Sequence, residues 1–316
     1  MRKRSLDMVH ALARRDERVV FIGSDLSPNL LGEMKKEYPL RYYMEGISEA
    51  NVIGMAAGMA LEGYVPYVNT IATFITRRCY EQVAVDLCLH DLPVRLIGNG
   101  GGYVYAPLGP THQAIEDIAI MRALPHMTVT AVCDAEEMTR LMDATLDWPH
   151  PIYIRLGKGG DPVISRPERG FAIGKAIDMI DGAADSASDV LLIGTGVSTT
   201  QALAAAKVLA ADGLRCRLLH VHTVKPIDAE AIVEAAGRTR LVVTVEEHNV
   251  VGGLGSAVLE VLADGMTSAL PPVRRLGIPD RFSARYGSQA ALMKDCHIDA
   301  EGIVATVRGA RAGGRQ

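Results

Sequence analysis

The sequence contains no apolar run approaching the roughly 18 residues of a membrane-spanning helix, which argues against a membrane protein. It has no strongly basic stretch beyond Met1–Arg4 and the pair Arg77–Arg78. Its 37 acidic residues against 33 basic leave a formal net charge of −4, so nucleic acid is not an expected partner. No apolar segment follows the basic start, and no secretory leader is expected. Cysteine is sparse: Cys79, Cys88, Cys133, Cys216 and Cys296 are odd in number, scattered and never spaced CxxC. That pattern excludes a disulfide framework and a structural zinc site, and it points to a reducing, cytoplasmic compartment. A GxxxxGK[ST] loop, an HExxH pair, short repeats and low-complexity tracts are also missing.

What is present is an ordinary globular composition, 48% hydrophobic and 22% charged, over 316 residues. At about 150 residues per domain this length predicts two domains. Short apolar or β-branched runs at 19–22, 64–68, 94–97, 129–132 and 152–154 read as buried strands. Between them, residues 6–13, 48–61, 73–89, 115–122 and 135–146 have helical spacing. Such alternation predicts an α/β fold with a parallel sheet covered by helices on both faces. The pattern pauses in the Gly/Pro-rich stretch 156–170 and then resumes, with strands at 190–193, 217–221 and 241–245 and helices at 198–211, 255–263 and 300–307. Two parallel-sheet domains are therefore expected, at 1–165 and 186–316, joined by a linker at 166–185.

Ligands of open parallel sheets sit outside the carboxyl ends of the strands, so the loops at 23–29, 45–49, 69–74 and 98–113 and the position of Arg155 carry the interest. Several motifs there have two readings. Gly194-Thr195-Gly196 is a partial dinucleotide fingerprint, but a GxG turn between strand and helix is common punctuation. Asn99-Gly100-Gly101-Gly102 could cradle a phosphate or serve as a hinge. Ser48 is placed to cap a helix whose first turn welcomes the Glu49 carboxylate, a sufficient structural reason for that residue. In the same helix Gly54 and Gly58 cost roughly 1 kcal/mol each relative to Ala, which makes sense if another backbone packs closely there, as at a subunit interface. His112 closes a long loop starting at Asn99, where a reactive group is more expected than on an apolar helix face. His248 reads as a surface or interface residue, and His90, His126, His150 and His297 as ordinary loop or surface residues.

Taken in order, GSDLSPN (23–29), EGISEANVIGMAAGMALEG (45–63), TIATFITRRCYEQV (70–83), GPTHQAIEDIAIMRALP (109–125), PIYIRLGKG (151–159) and EEHNVVGGLGSAV (246–258) resemble the carboxyl-terminal half of transketolase, as encoded separately in split, two-subunit transketolases. The resemblance covers nearly the whole chain. It implies a pyrimidine-binding domain followed by a transketolase C-terminal domain, and transfer of a two-carbon ketol unit from a ketose donor to an aldose acceptor through a carbanion on thiamine diphosphate. It implies that Glu49 hydrogen-bonds a ring nitrogen of the coenzyme's aminopyrimidine and favours the imino tautomer. Phe74 then resembles the aromatic stacked on that ring, although a core Phe is the plain alternative. Leu26 resembles the aliphatic prop that keeps the coenzyme bent, and Asp25 the aspartate near the thiazolium. Ile71 and Arg77 occupy neighbouring pocket positions where relatives often carry aromatics. His112 matches the histidine of the substrate channel, and Arg155 the arginine that binds an acceptor phosphate.

Two departures from the family pattern stand out. Pro107-Leu108 precede GPTH where relatives carry two acids, the second of which recognises a donor hydroxyl. Leucine cannot accept a hydrogen bond, so the donor differs or Tyr103 or Tyr105 reads that hydroxyl. The family's GDG motif and downstream Asn pair, which hold Mg²⁺ and the diphosphate, are absent. The resemblance thus implies a partner subunit that carries the diphosphate-binding domain and the Mg²⁺, with an α2β2 assembly expected. Alternatives of the same architecture are the beta subunit of a 2-oxoacid dehydrogenase, a deoxyxylulose-phosphate-synthase-like enzyme, or a specialised two-carbon transferase acting on a carrier or unusual acceptor. A non-catalytic scaffold subunit is the alternative from another class, and the presence of Glu49, Phe74 and His112 together counts against it.

Overall fold

The computed structural model describes residues 1–24, 26 and 30–313. Its strands are Val19–Gly23 (β1), Tyr42–Met44 (β2), Val65–Ile71 (β3), Arg95–Asn99 (β4), Thr128–Ala131 (β5), Ile152–Leu156 (β6), Ile177–Asp178 (β7), Val190–Gly194 (β8), Cys216–His220 (β9), Thr223–Lys225 (β10), Val242–Asn249 (β11) and Val273–Ile278 (β12). They form a seven-stranded sheet, β10-β5-β6-β4-β3-β1-β2, and a five-stranded sheet, β12-β11-β8-β9-β7. Every pairing is parallel except at one edge of each sheet, β10 against β5 and β7 against β9.

Along β1, β4, β6 and β8 every residue is buried, which is why these strands read as continuous apolar runs. Successive side chains leave a strand on opposite faces. Ile22, Val68 and Leu96 pack beneath Val52, Ile53 and Ala56 of the Glu49–Leu61 helix. On the other face Phe21, Tyr67 and Ile97 meet Leu6 and Val9 of the Arg2–Arg15 helix and Leu141 of the Ala135–Thr145 helix. The first sheet therefore has two cores, and its strand ends are left to the loops.

Three expectations need correction. The segment 166–185 is not a plain linker, because it supplies β7 to the second sheet. Nor do the two units divide cleanly in sequence: β10 comes from the second half and pairs Thr223 with Thr130 on the first sheet. The helix expected over 73–89 is also broken. It runs as Ala72–Thr76, a tight turn Arg77–Cys79, Tyr80–Gln82 and a widened turn Val83–Cys88. Breaks of this kind occur often at functional sites. Among the described residues no helix is long and apolar enough to cross a membrane, and all five cysteines are free.

Between the two units an apolar cluster, in which Tyr103, Ala106 and Ile115 meet Ile278, Leu292, Met293 and Ile298, is joined by buried polar contacts. Glu137 bonds His220 at 2.9 Å, both fully buried, and burial of this carboxyl is outweighed by the nearby imidazoles, which pull it down to about 2. His222 stacks on Phe171 with ring centroids 4.3 Å apart, and burial pushes it from 6.5 down to about 4. A histidine held neutral in the fold contributes stability above pH 6.5 that is lost as pH falls toward 4, because only the unfolded chain then takes up the proton. A shift of that size is worth on the order of 3 kcal/mol. His222→Phe is therefore expected to flatten the fall in Tm between pH 6.5 and 4. Parallel Tm–pH curves for the variant and the parent protein would contradict this.

Candidate functional site

The first sheet presents the carboxyl ends of β1, β3 and β4 side by side, and the loops leaving them build the site. After β2 the chain turns at Gly46, whose φ of +69° favours glycine, and enters the Glu49–Leu61 helix. Ser48 stands at the N-cap, but its hydroxyl donates back to the Glu45 carbonyl at 2.9 Å and does not cap the helix. Glu49 opens the helix, is only 5% exposed, and accepts from Arg78 Nη1 at 2.9 Å. That guanidinium lies 3.9 Å from the centre of the Phe74 ring. His112 meets the same ring edge-on, with centroids 5.3 Å apart. Glu49, Arg78, Phe74 and His112 are thus one contiguous group.

Arg77 turns the other way. It pairs with Glu116 at 2.9 Å and reaches the Thr111 carbonyl at 3.5 Å. Burial raises the Glu116 carboxyl, with Arg77 opposing that shift. Arg77 therefore anchors the loop that carries His112, and Thr111 Oγ1 lies 2.9 Å from His112 Nδ1. Ile71 ends β3 immediately before Phe74's short helix and is half-buried, as is Leu26 beyond β1. Asp25 lies outside the described residues. Underneath, Asn99 Nδ2 donates to Asn69 Oδ1 at 2.7 Å and to the Thr70 carbonyl at 2.9 Å. Asn69 Nδ2, Thr73 Oγ1 and both amide atoms of Gln113 are buried without a hydrogen-bond partner. Buried polar atoms left open in this way normally have a ligand or water to meet.

Arg155 is not in this group. Its Nε donates to Asp117 Oδ2 at 2.7 Å, and its Nη2 to the carbonyls of Ala114 and Glu247 at 3.1 and 2.8 Å. The pair is almost entirely buried. Tyr153 donates to the same Asp117 oxygen at 2.7 Å. Burial works to raise the Asp117 carboxyl, but Arg155 and His248 together hold it below its ordinary value. Its Nε and Nη2 donors join the two units, while Nη1 has no hydrogen-bond partner among the described residues. The glycine run beside it is structural for the same reason. A Cβ at Gly101 would lie 2.5 Å from Arg155 Nε, and one at Gly102 2.5 Å from Glu247 Cδ.

His248 is fully buried, not on the surface. Its Nε2 accepts from the Ala119 N–H at 3.2 Å and its Nδ1 faces the Asn249 carbonyl at 2.7 Å, which fixes the neutral ring with the proton on Nδ1. Burial lowers it to about 4. Burial also pushes Glu246 and Glu247 up to about 7. Glu246 accepts from the Leu254 and Gly255 N–H groups at the start of a helix, and Glu247 from the Tyr103 N–H. The Tyr103 hydroxyl is turned to Cys296, 3.5 Å away, so it does not read a substrate hydroxyl. Gly196 donates its N–H to the Ala131 carbonyl at 2.9 Å, consistent with the punctuation reading of its GxG turn. Arg78 is the site residue that motif reading missed, since in sequence it is merely the second half of a basic pair.

Comparison with known proteins gives these shapes a context. Residues 1–160 match the family model "Transketolase, pyrimidine binding domain" and residues 183–303 match "Transketolase, C-terminal domain". The chain is 35% identical over 307 residues to one subunit of the apulose-4-phosphate transketolase of Phocaeicola vulgatus, covering 96% of this chain and 95% of that one. It is 39% identical over 304 residues to 1-deoxy-D-xylulose-5-phosphate synthase 1 of Geobacter sulfurreducens, where the match covers 95% of this chain but only 46% of the synthase. A solved split-gene transketolase, described as an inactive beta4 tetramer, superposes with a TM-score of 0.87 at 34% identity, covering 98% of this chain and 97% of that one.

Removing one partner of the buried Arg155–Asp117 pair leaves an uncompensated charge, at a cost of about 3–5 kcal/mol. Asp117→Ala is expected to lose that much in urea unfolding. Arg78→Ala, where the arginine is half-exposed although the Glu49 carboxylate is buried, is expected to lose less than that. Equal losses in the two variants would refute the distinction drawn here.

Proposed function

The chain belongs to the transketolase family, and on that premise we propose that it is the C-terminal subunit of a two-subunit transketolase, working with a partner chain that carries the diphosphate-binding domain. In this reading the assembly moves a two-carbon ketol unit from a ketose donor to an aldose acceptor. The observation that carries the proposal is the buried Glu49 carboxylate at the start of its helix, placed beside Phe74 and His112.

The family coenzyme is thiamine diphosphate, which supplies the carbon nucleophile when bound. The residues of this chain fit its pyrimidine end. Glu49 would hold a proton at a ring nitrogen, with Arg78 fixing the carboxylate's direction. Phe74 offers a ring face, and the unpartnered Asn69 Nδ2 and Gln113 amide offer polar contacts. Leu26 and Ile71 supply apolar walls, and Asp25 is proposed to lie near the thiazolium. His112, with Nδ1 facing Thr111, keeps Nε2 for a donor hydroxyl or oxyanion. The same residues do not fit a diphosphate: the Gly100–Gly102 loop is filled by Tyr105, Arg155 and Glu247 of the chain itself. Diphosphate and Mg²⁺ thus fall to the partner.

The outer face of the Glu49–Leu61 helix is the proposed seat for that partner, in an α2β2 assembly. Ile47 and Leu61 are 74% and 66% exposed, and a Cβ at Gly58 would meet nothing within 4 Å. Leu108 is exposed at 51% where the family carries an acid, which favours a donor other than the usual ketose phosphates, with Tyr105 left to read its hydroxyl. A cytoplasmic location is part of the same proposal.

The test uses the assembled enzyme. Glu49→Gln and Glu49→Ala, each co-expressed with the partner, are expected to co-elute with it normally and to lose at least about 100-fold in turnover across a panel of ketose and 2-oxoacid donors. Near-normal turnover in either variant would overturn the role of Glu49. Full turnover by this chain alone would overturn the need for a partner.

A further inference from the structure

At the opposite end of the first sheet, where strands begin, three short connections converge. Asp91 lies in the turn leading toward β4, His126 in the turn before β5, and His150 just before β6. These strands are neighbours in the order β5-β6-β4, so the sheet itself brings the three residues together. One ligand atom from each lies within 4.8 Å of the others. His150 Nδ1 stands 2.9 and 3.0 Å from the two Asp91 oxygens, and His126 Nδ1 stands 3.6 Å from Asp91 Oδ2. The two imidazoles lie nearly face to face, with centroids 6.3 Å apart at 26°.

A tetrahedral ion with bonds of ~2.0–2.1 Å has ligand–ligand edges of about 3.3 Å. The Asp91–His150 and Asp91–His126 separations bracket that value. Asp91 and His126 both hold left-handed backbone, with φ of 52° and 62°. The three side chains are 36%, 51% and 40% exposed, which leaves room for water or another ligand. Two imidazoles with one carboxylate suit zinc, nickel or copper, and do not suit magnesium or calcium.

We propose that Asp91, His126 and His150 form a surface site for a divalent transition-metal ion of the zinc class, separate from the coenzyme pocket at the other end of the strands. The ion ties three turns of the first sheet together. Because it binds the folded chain, it stabilises that chain by mass action.

The chain carries its own probe. Trp148 is the single tryptophan, and its ring lies edge-on to His150 with centroids 5.9 Å apart. Tag-free full-length protein is titrated with Cu²⁺ while Trp148 emission is followed, and Tm is measured with and without Zn²⁺. The expected result is saturable quenching at one ion per chain, reversed by EDTA, and a Tm raised by Zn²⁺. His126→Ala and Asp91→Asn are expected to weaken both effects by about 10-fold or more. His126→Ala is the decisive variant, since removing His150 also alters the surroundings of Trp148. Quenching that does not saturate, or that is the same in His126→Ala and Asp91→Asn as in the parent, overturns the site. An unchanged Tm with Zn²⁺ does so as well.

Discussion

The buried Arg155–Asp117 pair is the interaction on which the arrangement of this molecule depends. It sits where the end of β6, the loop after Gln113 and the end of β11 meet, and it touches the carbonyls of Ala114 and Glu247 at once. A guanidinium so deeply buried needs partners, and the surrounding residues supply them at Nε and Nη2. Gly101 and Gly102 lack side chains so that Arg155 and Glu247 can approach. Tyr153 and His248 complete the surroundings of Asp117. The loop from Asn99 to Gln113 is pinned by this cluster at its base, and His112 at its far end inherits a defined position over Phe74.

The same geometry separates two kinds of arginine that sequence cannot tell apart. Arg155 is buried and joins the two units, whereas Arg78 is half-exposed and turns one carboxylate toward one ring. Arg77, next in the chain, faces away and holds a loop. Only the fold shows which arginine does which: Arg155 points from β6, while the broken helical segment after Phe74 sends Arg77 and Arg78 in different directions.

Much of the fold was legible beforehand because fully buried parallel strands announce themselves as apolar runs. That holds for β1, β3, β4, β5, β6, β8, β9 and β11. The strands that escaped notice were short or lay at sheet edges: β2, β7, β10 and β12, the last of which carries exposed Arg274 and Arg275. Edge strands need not be apolar, so pattern alone does not reveal them. Glu49, Phe74 and His112, which the fold brings together, were singled out through ordered motifs, since each residue alone had an adequate structural reading. Of the two readings open for His248, surface or interface, the structure supports the second, because its burial comes from packing of one unit on the other, which no local pattern records.

The crossing of β10 into the first sheet has a further consequence for how divisible the polypeptide is. A fragment ending near residue 165 would keep every parallel strand of that sheet, yet it would bare the flank of β5 that Thr223–Lys225 normally covers. Open flanks of this sort invite pairing between copies. The first half therefore does not close its sheet alone, and domain exchange with another enzyme would have to carry this short strand along with the sheet it closes.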